Sequence, residues 1–145
     1  MAKNPPNFAA DDTIWFTDPT FGINGEWEGS RAVAEQATTN GYRIGTDGKL
    51  TAMLTDLVNP NDLAFSPGEK KFYVVEWKGT PNRSIWSYSV AADGSLSNQS
   101  KPIDSAVAGA LDGFRVDCDG HPWCGWAATA RCRPSRPILA VKTVY

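Results

Sequence analysis

Histidine and cysteine are scarce in this chain. His121 is the one histidine, and Cys118, Cys124 and Cys132 are the three cysteines among 145 residues. An odd cysteine number without CxxC spacing argues against a zinc or redox framework. Reduced thiols fit a cytoplasmic protein. Cys118 and Cys124 fall inside a strand–turn–strand phrase and are expected to be small buried apolar residues. His121 stands in the turn Asp119-Gly120-His121-Pro122, and no Gly-x-Ser-x-Gly elbow occurs, so a Ser-His-Asp triad finds no support. No run of 18 apolar residues is present, which argues against a membrane-crossing helix. Met1–Pro6 lacks the apolar stretch of a signal peptide.

Basic charge is also scarce where it would matter. Residues 1–126 carry 10 Lys/Arg against 16 Asp/Glu, a balance of −6 within the overall −2. An acidic body is a poor partner for nucleic acid, because phosphate binding needs a basic face. Residues 127–145 reverse the pattern, with Arg131, Arg133, Arg136, Lys142 and no acid, a balance of +4.

What the chain has is repetition. Asn61–Val75 and Asp112–Trp126 share one strand–turn–strand grammar, 51 residues apart, and Asn7–Asp18 is a shortened copy starting 54 residues before Asn61. A second phrase, Tyr-x-[Ile/Val]-x-x-Asp-Gly-x-Leu, runs over Tyr42–Leu50 and again over Tyr88–Leu96. Repeats of about 50 residues built from short strands and Gly turns are the signature of propeller blades. The fold class expected is all-β, an incomplete β-propeller of about two and a half blades. A propeller closes with about four to eight blades, so other chains complete the ring or this is a fragment. Open blade edges would then favour self-association.

Locally, Thr13–Thr17 and Phe72–Trp77 are rich in β-branched and aromatic residues and are expected as strands. Gly22–Gly41 is a long insertion, the kind of segment that forms lids or binding loops, with a helical turn expected over Ala32–Ala37. Asp47-Gly48 and Asp93-Gly94 suit type I′ turns, with φ > 0 at both positions. The six tryptophans are read mostly as filling between blades. After Trp126 the grammar fails. The chain thus divides into a partial propeller, 1–126, and a divergent basic tail, 127–145, read either as out of frame with the ancestral sequence or as a divergent linker.

Asp12–Ile23, Asn59–Tyr73 and Leu111–Asp117 together resemble the SMP-30/gluconolactonase/luciferin-regenerating-enzyme family, and bacterial gluconolactonases above all. The resemblance covers roughly residues 4–126. It implies a six-bladed propeller with a divalent metal, Ca²⁺ before Zn²⁺ or Mg²⁺, at one mouth of the channel. It implies hydrolysis of sugar lactones as the activity. Asn61 matches a metal-binding Asn, with Asp62 where the family phrase has Gly. Asp112 matches a metal-binding Asp that is also the favoured general base. Asn7 and Asp18 match substrate-side positions. The family's metal-binding Glu comes from a blade that would precede residue 1.

The repeats speak to the same place independently. Asn7, Asn61 and Asp112 are read as equivalent positions at the starts of inner strands, which converge on a propeller axis. Their oxygen donors suit Ca²⁺ or Mg²⁺; ordinary turn chemistry is the other reading of such residues. The side chains of Asn61 and Asp112 are expected within roughly 8 Å, about three metal–oxygen bond lengths, on the face that carries Asp18 and the Gly22–Gly41 loop. Two functions remain open: a metal-dependent lactonase represented by a partial copy, impaired as it stands, and a non-catalytic β-wedge.

Overall fold

A computed structural model describes residues 7–26, 29–77, 84–103 and 110–127, with the backbone alone at 110, 112 and 125–127. The first sheet comprises β1 (Asn7–Phe8), β2 (Ile14–Thr17), β3 (Gly41–Ile44) and β4 (Leu50–Leu54), paired in chain order. The second comprises β5 (Pro60–Phe65), β6 (Lys71–Glu76), β7 (Ser84–Val90) and β8 (Leu96–Ile103), again in order. β9 (Ala110–Val116) and β10 (Pro122–Ala127) form a hairpin. Every pairing is antiparallel. These are two blades and the inner half of a third, the incomplete propeller that the repeats predict.

Blades pack face to face, so the inner strands of the middle sheet are buried on both sides: β5 is buried at five of six positions and β6 at four of six, while the outer β8 is mostly exposed. Successive residues part company: Leu63 and Val74 join Trp15, Leu54, Leu57, Phe72 and Tyr88 between the first and second sheets. Ala64 and Val75 join Ile85, Leu111, Phe114 and Cys124 between the second and third. β5 lies against both β2 and β9. The inner strands β5 and β9 thus stand side by side at the would-be channel.

One turn recurs four times, at Ala9–Thr13, Gly45–Lys49, Ala91–Ser95 and Asp117–His121. In each, the first N–H donates to the fifth carbonyl, and the fourth N–H donates back to the first carbonyl. Only the fourth residue has φ > 0: Asp12 at 60°, Gly48 at 78°, Gly94 at 80° and Gly120 at 84°. This is a type I turn closed by one left-handed residue, not the type I′ turn expected at Asp47-Gly48 and Asp93-Gly94. The reason is local. Asp47 and Asp93 accept from the N–H groups of Lys49 and Ser95, which fixes each Asp in the turn's own right-handed half.

Other expectations are corrected as well. Ala32–Ala37 is not helical; the one helical turn among the described residues is α1 (Phe21–Asn24), whose Phe21 ring meets Trp77 edge-on at 5.2 Å. Cys124 is buried, but Cys118 is exposed because it lies in the hairpin turn rather than in a strand. Among the described tryptophan side chains, Trp15 is 2% exposed while Trp123 is 40% exposed. Its indole N–H reaches Asp117 instead of the core. No described helix is long and apolar enough to cross a membrane. The tail beyond Ala127 lies outside the described residues.

Candidate functional site

The hairpin registers decide which residues are equivalent. β5 pairs Pro60 with Glu76 and Leu63 with Val74, so Asn61 and Asp62 together face Val75. β9 pairs Leu111 with Trp126 and Phe114 with Cys124, so Asp112 and Gly113 together face Gly125. Both inner strands therefore carry a two-residue bulge at one position, with Asn61 matched to Asp112 and Asp62 to Gly113. A bulge bends its strand and re-aims a side chain, and bulges recur beside active sites. Asp112's own side chain is outside the described set.

Asn7 does not belong to this pair. Asn7 faces Trp15 and Phe8 faces Ile14, directly before the turn that opens at Ala9. Counting from the turns, which open at Ala9, Ser66 and Asp117, Asn7 is equivalent to Ala64 and Arg115. It stands three residues, about 10 Å of strand, past the position of Asn61. Its amide donates to the Leu63 carbonyl at 2.6 Å. It also lines a cavity of about 360 Å³ at the turn end, together with Ser66, Glu69, Arg115 and Cys118. By the same count along the sequence the position of Asn61 falls on Asn4, which is outside the described residues.

Asp18 stays with the bulges. Thr17 ends β2 and its hydroxyl donates to the Asn61 carbonyl; Asn61 itself is 4% exposed. Asp18 follows, its N–H held by the Asn40 carbonyl at 3.0 Å. The insertion then folds over a cavity of about 310 Å³ lined by Asp18, Thr20, Glu35, Gln36, Thr38 and Thr39. Asp18 and the insertion thus lie at the Asn61 end of the wedge, while the expected approach of Asn61 to Asp112 falls on a side chain outside the described residues.

Sequence reasoning missed the scaffold beneath. Asn59 adopts φ 58°, which asparagine tolerates in a turn. Its Oδ1 accepts from Thr20 N–H at 2.9 Å and Thr20 hydroxyl at 3.1 Å, and its own N–H donates to the Thr39 hydroxyl at 2.8 Å. Asn59 thereby ties both ends of the insertion to the start of β5. Glu76, buried at the end of β6, accepts from Val58 N–H at 2.8 Å and from the Trp86 indole at 2.7 Å. Asp62 is the third missed residue. Its Oδ1 accepts from Leu63 N–H at 3.0 Å, and its Oδ2 from Phe114 N–H at 2.7 Å and Arg115 Nη1 at 2.9 Å. Burial pushes its pKa above the usual carboxylate value, against the lowering pull of Phe114 N–H, Arg115 and Leu63 N–H. The signal for Asp62 was in the sequence, as a carboxylate where the family phrase has glycine.

At the opposite end, ligand atoms of Asp117, Asp119 and His121 lie within 4.8 Å of one another. Asp117's oxygens are occupied by the turn, accepting from the N–H groups of Asp119 and His121 and from the Trp123 indole. Those bonds, the indole's first, hold its carboxyl below the usual value. The group is a turn closure and nothing marks it as a ligand site. The residue types at the two bulges, an asparagine and an aspartate, carry oxygen donors of the kind a hard cation takes rather than the sulfur or imidazole that zinc favours.

Comparison with known proteins gives the relationship. Residues 2–137 match the family model described as the SMP-30/Gluconolactonase/LRE-like region. A gluconolactonase of Zymomonas mobilis is 31% identical over 129 residues, which cover 81% of this chain and 35% of that protein. The solved structure of a gluconolactonase from Xanthomonas campestris is 36% identical with a TM-score of 0.70, covering 83% of this chain and 40% of that one. A calcium-binding protein, regucalcin, from Agrobacterium tumefaciens is similar in fold, at 22% identity and TM-score 0.62, over 83% of this chain and 37% of that one. The chain thus spans between a third and two fifths of the length of these relatives. By sequence and by fold together, it belongs to the SMP-30/gluconolactonase/luciferin-regenerating-enzyme family.

Proposed function

We propose that the bulge end of the wedge is part of a metal-dependent site for hydrolysing sugar lactones. The observation that carries this reading is the recurrence of one bulge at Asn61 and at Asp112 on neighbouring inner strands. Asn61 and Asp112 would hold the cation, Ca²⁺ in preference to Mg²⁺ or Zn²⁺, through oxygen. When bound, such a cation supplies Lewis-acid polarisation of the lactone carbonyl and charge stabilisation of its oxyanion. Asp112 takes the proton from the attacking water as general base. Asp18, at the mouth of the cavity under the insertion, accepts hydrogen bonds from sugar hydroxyls. Two of the three relatives are named gluconolactonase, which supports the substrate class.

A second reading is a non-catalytic β-wedge, and the short donor set favours it. Calcium takes six to eight oxygens, and two side chains hold it weakly. Exposed blade faces would then make self-association the visible property. Initial rates of gluconolactone hydrolysis separate the two readings. A rate above the spontaneous one, raised by calcium and abolished by a chelator, is the result expected of the lactonase reading. The spontaneous rate alone, with and without calcium, would overturn it in favour of the wedge.

A further inference from the structure

Asp62 is 3% exposed and reaches from one blade into the next. The innermost strand of a blade has one edge without a strand partner, and the Phe114 N–H on that edge of β9 is taken by Asp62 rather than by β10. Bonds from N–H to a carboxylate are about twice as strong as neutral ones. The bond at 2.7 Å is made two residues after Asp112, immediately beyond the Asp112–Gly113 bulge. A Cβ on Gly113 would stand 3.5 Å from Asp62 Oδ2, ordinary contact, so the carboxylate packs directly onto the bulge.

We propose that Asp62 is a positioning residue: it clamps β9 to β5 and so sets the Asp112 bulge in register with the Asn61 bulge. The proposal rests on the cation reading above for its functional half. Asp62 is not itself a ligand for the ion, because three of its about four acceptor positions are already committed to Leu63, Phe114 and Arg115. Arg115 contributes less, since its side chain is 63% exposed and such pairs are weak.

The test compares the unmodified chain with Asp62→Ala, Asp62→Asn and Arg115→Gln by amide exchange and by calcium calorimetry. Asp62→Ala is expected to speed exchange across β9 and to weaken calcium binding, each about tenfold, the loss of one bond to a charged group. Exchange in β6 and β7 stays within about twofold, which separates the effect from general unfolding. Asp62→Asn keeps an acceptor oxygen and falls between the two. Arg115→Gln leaves calcium binding within about twofold, as an exposed pair should. Unchanged β9 exchange in Asp62→Ala would overturn the clamp. A loosened β9 with undiminished calcium binding would overturn its positioning role. Asp62→Asn losing calcium as fully as Asp62→Ala, with β9 still protected, would make Asp62 a ligand and overturn the proposal. Absence of calcium binding by the unmodified chain would overturn the cation reading instead, and β9 exchange then decides the clamp by itself.

Discussion

Asp112→Asn is expected to lower calcium-dependent lactone hydrolysis by about 10²–10⁴-fold, the usual contribution of a positioned general base. The substitution keeps the shape and one oxygen donor but removes both the charge that would hold the cation and the proton acceptor, so the rate is read at saturating calcium. Asp112 lies in β9 between the buried Leu111 and the bulge residue Gly113, and neither neighbour is altered. The thermal midpoint should therefore move little while the rate falls. Hydrolysis retained within a few-fold of the unmodified chain would show that another group takes the proton. A rate and a midpoint that fall together would place Asp112 in the framework rather than in the chemistry.

Phe72→Ala carries the largest expected cost to folding. Phe72 is fully buried and its ring lies 5.0 Å from Trp15, 5.0 Å from Phe65 and 6.4 Å from Tyr88. It is the point at which the first two blades meet. Truncating a buried Phe costs about 3–5 kcal/mol, the transfer term plus the cavity left behind. Domains are stable by only about 5–15 kcal/mol in all, and the described residues of this wedge form two interblade cores. Denaturant titration followed by tryptophan fluorescence should show the cooperative transition lost or displaced to a far lower midpoint. A midpoint close to that of the unmodified chain would mean that the blades do not pack through Phe72.

Much of the architecture was legible because blades repeat. The 51-residue spacing puts Asn61 and Asp112 on one bulge in two hairpins, and the pairing registers agree. The same reasoning failed at Asn7, which stands two residues before the turn that opens at Ala9, whereas Asn61 and Asp112 stand five before the turns that open at Ser66 and Asp117. Two asparagines three apart, Asn4 and Asn7, then offer themselves for one position. Turn type was misjudged at Asp47-Gly48 because the Asp side chain's bond to the following residue's backbone outweighs the dipeptide's statistical preference. Cys118 was expected inside and the tryptophans mostly so, whereas a single turn and one carboxylate, Asp117, hold Cys118 and Trp123 at the surface. Asn59 and Glu76 were illegible for a different reason, and Asp62 stood out only as a carboxylate where the family phrase has glycine, with no sign of what it bonds. Their partners are 18 to 52 residues away or in another strand, and no local pattern announces such bonds.

Calcium calorimetry on Asn61→Ala, Asp112→Asn and the double variant tests the central claim, that these two residues serve one cation. If they do, each single variant loses most of the binding and the double variant loses scarcely more, because ligands of one ion are strongly coupled. Additive losses, or binding that survives in either single variant, would contradict a shared site at the paired bulges.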